Sequence, residues 1–267
     1  MSDYRHILFE VAEPHIGLVT LNRPDYLNAY TNPLCDELVQ ALRRYTENDA
    51  LRCLVITGAG RGFCSGGDIS GEAGGPSYRQ RQMGQAQEMR EGMHRVIAAL
   101  HRMDKPVIGM INGPAVAGGL ALALACDIRI ASETAKLGDT SGRFGLLPDE
   151  GGAWLFPRAM GLDRALKMTF LHEVYPAPEA LRLGLVTEVV PPAELRERTF
   201  ALAHGIAKRA PLAVRLAKNM MRKALDTSLE NSLDDAALSV MISNPSQDVR
   251  EGIAAFREKR EPQFKGQ

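Results

Sequence analysis

Three short stretches carry residue types suited to moving a proton beside a developing oxyanion. "GLLPDEGGAW" (Gly145–Trp154) sets two adjacent carboxylates, Asp149 and Glu150, between a proline and a glycine pair. "FCSGGD" (Phe63–Asp68) and "INGPAVAGGLALALACD" (Ile111–Asp127) share a layout in which an apolar stretch runs into a glycine turn at the head of a helix. Backbone N–H groups at such a turn are unpaired and, helped by the helix dipole, bind a negative oxygen. Two such loops side by side could aim two donors at one oxyanion, and a carboxylate in reach could take or give the proton. Each stretch also has a plain structural explanation. Glycine turns allow positive φ or close packing, and an acid in a turn can be a solvated turn residue or a helix cap. Neither glycine loop carries the phosphate fingerprints GxGxxG or GxxxxGK(S/T) in context.

The elements that must hold these stretches alternate between strand and helix. "IGLVTLN" (Ile16–Asn22) is short and β-branched and ends at a turn, as a strand does. The next segment puts Leu34, Leu38 and Leu42 on one face, a helical period. "LRCLVITG" predicts a buried strand entering the first glycine loop, and Tyr78 to Met103 predicts one long helix, polar and then apolar. "KPVIGMING", the small-residue helix "AGGLALALACD" and "IRIAS" continue the rhythm. This pattern predicts an α/β fold with a parallel-rich sheet flanked by helices. Beyond about Arg158 the strand signal fades into helical segments, among them Arg164–Leu171, Pro178–Leu183 and Leu212–Leu225. The division expected is an α/β core over residues 1–200 and a helical C-terminal region over 201–267.

Composition narrows the partners. The 32 basic and 32 acidic residues cancel, which argues against a nucleic-acid or acidic-membrane partner. The four cysteines (Cys35, Cys53, Cys64, Cys126) form no CxxC pair and read as reduced packing residues, and the six histidines are too dispersed for a metal cluster. With no signal or transit pattern and no apolar run long enough for a bilayer, the expectation is a cytoplasmic protein. Ser65 in "CSGGD" lacks the GxSxG elbow and a motif-borne histidine base, so a serine-hydrolase role is set aside. Cys64 lacks a base for the same reason. Arg215, Lys218 and Arg222 lie on one helical face and read as a solvated face or as contacts to the phosphates of a ligand.

Taken in order and spacing, "RGFCSGGD", "KPVIGMINGPAVAGGLALALACDIRIAS", "GLLPDEGGAWLFPRAMG" and "REGIAAFREKREPQF" resemble the crotonase, or enoyl-CoA hydratase/isomerase, superfamily from about Leu18 to Phe264. The resemblance implies a spiral of ββα units with a helical C-terminal trimerisation region, the trimers commonly pairing into hexamers. It implies an acyl-CoA thioester substrate and no metal or redox cofactor, coenzyme A entering only as part of the substrate. By motif position the thioester oxygen would rest on the amides of Gly67 and Gly118. The Ser65 carbonyl would receive the adenine amino group, with Asp68, Ser141 and Trp154 in the substrate-binding set. Phe256 and Lys259 would reach CoA, in some members across a subunit boundary.

The chain departs from the hydratase pattern at both usual glutamates, which are Ala121 and Ser141 here. Syn-hydration by the two-glutamate route is therefore doubtful, since neither residue can move a proton well. "PDEGGAWLFPR" is close to the PDxGGxWxLPR pattern of ring-modified phenylacetyl-CoA isomerases and related enoyl isomerases, in which the acid after the proline faces the acyl group. That resemblance favours Asp149 as the acid–base residue, desolvated by Leu146, Leu147, Trp154 and Phe156. Glu150 is the second choice, because one branch of C–C bond hydrolases carries its acid one residue further along. Asp139 and Arg143 could frame the same pocket. The favoured activity is acyl-CoA isomerisation through an enolate; the alternatives are an enoyl-CoA hydratase, a C–C hydrolase, or a CoA-binding protein without catalysis.

Overall fold

The computed structural model describes residues 4–69 and 84–267. Two sheets organise the first two thirds of the chain. Strands β1 (Ile7–Glu13), β2 (Ile16–Leu21), β3 (Cys53–Gly58), β4 (Val107–Ile111), β6 (Ile128–Ser132) and β9 (Glu188–Val190) form the larger, in the order β1-β2-β3-β4-β6-β9. Within this larger sheet, among the described residues, only the β1–β2 pair is antiparallel. Strands β5 (Ala115–Val116), β7 (Lys136–Gly138) and β8 (Val174–Pro176) form a small second sheet.

The parallel strands β3 and β4 are buried along their whole length. They read as unbroken apolar runs because helices cover both faces. On one face Leu54 and Ile56 join a core with Leu34, Leu38 and Leu42 of α1 (Asn32–Glu47) and with Val96 and Leu100 of α3 (Met93–Arg102). On the other face Cys53, Val55, Ile108 and Met110 pack with Leu195, Phe200 and Ala203 of α8 (Leu195–Ala207). The strand period of two thus sends alternate residues to two different helix layers.

Chain order produces a repeated unit. β4 lies in the large sheet, β5 in the small one, and α4 (Gly118–Ala125) follows; β6, β7 and α5 (Gly152–Met160) repeat the path. After β3, Cys64 pairs with Ala115 of β5 through an isolated parallel bridge, so this earlier unit enters the small sheet at the same edge. The small-residue helix α4 has all eight residues buried. Its composition follows from proximity: a Cβ at Gly119 would meet the Cys64 carbonyl oxygen at 2.0 Å. The ββα arrangement expected from the motifs is the arrangement found.

Several local expectations need correction. β1 carries no clean alternation and was not anticipated; it adds to the sheet by pairing with β2. Strand pairing does not stop at Arg158, because β8 and β9 close the two sheets with three residues each, too short to register as a strand pattern. The single helix expected to end at Met103 is divided at Gly92 into α2 (Gly84–Glu91) and α3, and its first residues, 78–83, lie outside the described set.

The C-terminal helices are α9 (Pro211–Ala224), α10 (Leu229–Ser243) and α11 (Gln247–Glu258). The basic face of α9 is not a solvated face. Lys218 and Arg222 both bond Asp127 at 2.7 Å, Lys218 also donates to the Lys105 carbonyl at 2.6 Å, and Arg215 pairs with Asp104. Asp127 in turn accepts the Val107 amide at the start of β4. The three cations fasten the helix to the core, which overturns both the solvated-face and the CoA-phosphate readings. Among the described residues, no helix is long and apolar enough to cross a membrane.

Candidate active site

The three stretches singled out in the sequence occupy corresponding places in three consecutive units. The second and third lie at the entry to a helix, whereas the helix start expected directly after Gly67 is not found, Asp68 and Ile69 being non-helical. The Gly66–Gly67 turn follows the Cys64 bridge, Gly118 follows β5, and Asp149–Glu150 precede α5. Backbone bonds hold the first two loops side by side: Phe63 and Cys64 both donate to the Pro114 carbonyl at 3.0 Å, and Val116 donates to the Cys64 carbonyl at 3.1 Å. A Cβ on Gly66 would lie 3.5 Å from the Gly118 nitrogen. Ala117, just before that nitrogen, sits at φ 51° and ψ −126°. Positive φ in an alanine is strained by roughly 1–3 kcal/mol and survives only where its surroundings enforce it.

Tyr30 is the hub of the site. Its amide donates to the Gly66 carbonyl at 2.9 Å and its carbonyl accepts the Asp68 amide at 3.0 Å, a parallel bridge opposite Gly67. A Cβ on Gly67 would be 3.2 Å from the phenol oxygen, and one on Gly118 would be 2.6 Å from a ring carbon. Both glycines therefore face one phenol. Among the described residues, neither the Gly67 nor the Gly118 amide has a backbone or side-chain acceptor. The Tyr30 hydroxyl donates to Glu150 Oε1 at 2.7 Å.

Of the two carboxylates, Glu150 is the buried one, 6% exposed, whereas Asp149 is exposed. Burial pushes the Glu150 carboxyl up to about 7, and the nearby Asp149 adds to the rise, while the hydrogen bond from Tyr30 acts the other way. The N-terminus of α5 favours an anion, an effect worth at most ~2 kcal/mol; desolvation outweighs it here. A carboxyl near 7 can act as base and as acid at neutral pH.

The apolar wall expected around Asp149 is not formed. Leu146 and Leu147 are exposed, and Phe156 is buried in the main core. Trp154 is half-exposed, edge-on to His101 at 5.0 Å with the Arg158 guanidinium over its ring. Proline and glycine around "PDEGG" turn the chain so that the second acid, not the first, points inward, a choice that residue types do not encode. His94 of α3 fixes the turn by donating to the Asp149 carbonyl at 2.7 Å.

Ser65 is part of the first loop, its amide bonded to the Leu27 carbonyl. Asp68 is buried against Arg23 at 2.7 Å, an ion pair that anchors the loop to the turn before α1. Ser141 is buried and donates its amide to Asp139, whose carboxylate is fully buried, while Arg143 turns outward to the His172 carbonyl. Ala121 is enclosed in α4. Phe256 is 86% exposed on α11 and Lys259 caps that helix; among the described residues, no hydrogen bond or ion pair ties either to the site. All four cysteines are free and buried, and burial pushes Cys64 up to about 12, so it is no nucleophile. Tyr30 itself was missed by sequence reasoning. The only signal was a polar aromatic ahead of the helix cap Thr31, and its partner lies 120 residues away.

Residues 12–267 match the family model described as enoyl-CoA hydratase/isomerase. The chain belongs to the enoyl-CoA hydratase/isomerase family. It is 34% identical to the 1,2-epoxyphenylacetyl-CoA isomerase of Escherichia coli (strain K12), over 95% of this chain and 96% of that protein. It is 37% identical to the (E)-benzylidenesuccinyl-CoA hydratase of Thauera aromatica, over 94% of this chain and 96% of that one. The crystal structure of enoyl-CoA hydratase from Bacillus anthracis superposes with a TM-score of 0.92 at 34% identity, covering 98% of this chain and 100% of that chain. This enoyl-CoA hydratase/isomerase family member therefore has the crotonase fold and, by family, an acyl-CoA thioester substrate.

Proposed function

We propose that this enzyme moves a proton at the carbon next to an acyl-CoA thioester carbonyl, shifting a double bond or an equivalent ring bond, with Glu150 as the acid–base group. The carrying observation is the buried Glu150 carboxyl, near 7, set between the Tyr30 phenol and Gly118. In this reading the thioester oxygen rests on the Gly67 and Gly118 amides. Proton removal turns that oxygen into an enolate, and two preorganised donors stabilise it; losing one such donor elsewhere costs about 3 kcal/mol. Glu150 then returns the proton to a different carbon. Asp149 shares the turn and raises its neighbour's proton affinity instead of facing the substrate.

Hydration is the second reading, favoured by the hydratase from Thauera aromatica among the relatives. Against it stand Ala121 and Ser141 at the positions that the two-glutamate route uses. A Ser65 contact to adenine, and Phe256 and Lys259 reaching CoA across a subunit boundary, complete the proposal. Exposed Leu229, Leu233 and Met241 on α10 support self-association into a trimer or hexamer.

Purified enzyme offered 2-enoyl-, 3-enoyl- and ring-epoxide CoA thioesters in deuterated water separates the readings. Isomerisation gives a product of unchanged composition apart from exchanged hydrogen, with label at the α or γ carbon. Gain of one water supports hydration. Tight CoA binding without turnover or exchange would sink both.

A further inference from the structure

We infer that Tyr30 is a positioning residue for the acid–base carboxyl: its phenol holds Glu150 Oε1 as a fixed acceptor, leaves Oε2 to exchange the proton, and ties that carboxyl to both oxyanion amides. The inference rests on the reading of Glu150 given above.

The geometry carries it. Tyr30 is 9% exposed, and its backbone is held from both sides, by Gly66 and Asp68 in the first glycine loop and by the Thr31 cap of α1, whose hydroxyl accepts the Leu34 amide. Its ring fills the space beside Gly67 and Gly118: a Cβ on Gly118 would collide with it at 2.6 Å, and one on Gly67 would crowd it at 3.2 Å. Movement of the phenol would thus disturb the acid and both donors together. A carboxyl free to rotate presents either oxygen in many orientations, whereas one pinned at 2.7 Å presents a single oxygen to the substrate.

The charges around the carboxyl allow this division. Burial and then the neighbouring Glu150 hold the Tyr30 phenol well above its usual range, so it remains a donor throughout the working pH range. Asp149, from the same turn, raises the Glu150 carboxyl. Cys64 from the first loop and Cys35 from α1 are thiols pushed upward by burial and stay neutral. His94 from α3 engages the Asp149 carbonyl. Tyr30 is the group that favours the ionised form of Glu150 from across the site.

The test compares wild type, Tyr30→Phe and Glu150→Gln in kcat, KM and their pH profiles. Tyr30→Phe keeps the ring and should stay folded, with a melting temperature a few degrees below wild type at pH values where Glu150 is ionised. Its ionisation limb should move upward by about one pH unit, since a donor to the charged form has gone. Turnover at neutral pH should fall on the order of tenfold with KM little changed. An unmoved limb and unchanged kcat in Tyr30→Phe, beside an inactive Glu150→Gln, would reduce Tyr30 to packing and leave the Glu150 reading intact. An active Glu150→Gln would overturn the reading of the site and this inference with it. Should Tyr30→Phe fail to fold, a fluorinated, more acidic tyrosine at the same position decides. It keeps the shape and should move the limb to lower pH; no movement would overturn the positioning role.

Discussion

Glu150 occupies the space that a side chain on Gly118 would need: a Cβ there would come within 2.5 Å of Oε1 and 2.8 Å of the carboxyl carbon. The proposed acid and the proposed oxyanion donor are thus in contact through the absence of one methyl group. Gly118→Ala retains the backbone N–H yet must push Glu150 and Tyr30 aside. Turnover should drop by about a hundredfold or more, the scale expected for misplaced catalytic groups. Near-normal kcat in a folded Gly118→Ala enzyme would show that the carboxyl does not work from this position.

The two adjacent acids should respond differently to neutralisation. Glu150→Gln should lower kcat by roughly a hundredfold to ten-thousandfold, the range for a lost acid–base group. Asp149→Asn removes a charge that raises the Glu150 carboxyl, so its ionisation limb should move to lower pH. Its turnover should change by less than about tenfold, because an exposed carboxylate is not desolvated for catalysis. The reverse pattern, read in the same pH–rate measurements, would return the acid–base role to Asp149.

Glu150 should also weaken the fold as pH rises. Its carboxyl goes from an ordinary 4.5 to about 7 on folding, chiefly through burial. Between those values the folded chain keeps a proton that the unfolded chain has lost. Stability is therefore full below the ordinary value and declines as pH climbs through about 7, by at most ~3 kcal/mol. Glu150→Gln, neutral at every pH, should melt about 5 °C above wild type near pH ~8 and show a flatter stability–pH curve. Equal melting temperatures there would mean that Glu150 is not desolvated.

The attachment of α9 offers a stability test away from the site. Asp127 is bonded to both Lys218 and Arg222, and the Lys218 side chain is only 9% exposed. Asp127→Ala strands two enclosed cations and frees the Val107 amide. The expected loss is about 3–5 kcal/mol, the scale for breaking a buried pair from one side. A denaturant melt within ~1 kcal/mol of wild type would show that solvent already screens this cluster.

Much of the fold was legible because its signals are local. The apolar runs of β3 and β4, the Leu34–Leu38–Leu42 stripe of α1 and the small residues of α4 each report their own burial. β8 and β9 were not legible, since three-residue strands gain their pairing from a neighbour already in place. The helix expected over one long span divides at Gly92, where φ −97° and ψ −114° leave the helical region. Lys218 and Arg222 resembled a solvated stripe because their partner Asp127 is far off in the chain.

The amino-acid sequence alone determined the family, the loop glycines at 67 and 118, and the pair of acids in one turn, because these depend on residue type and spacing. Which acid faces inward was decided only by tertiary structure, since the turn sets one side chain toward solvent and the other beneath a helix start. The same holds for the Tyr30 contact to Glu150, which exists only once the sheets bring three loops to one place. Proton affinity follows from that enclosure: burial and neighbouring charge, not the identity of a glutamate, bring its carboxyl to neutrality.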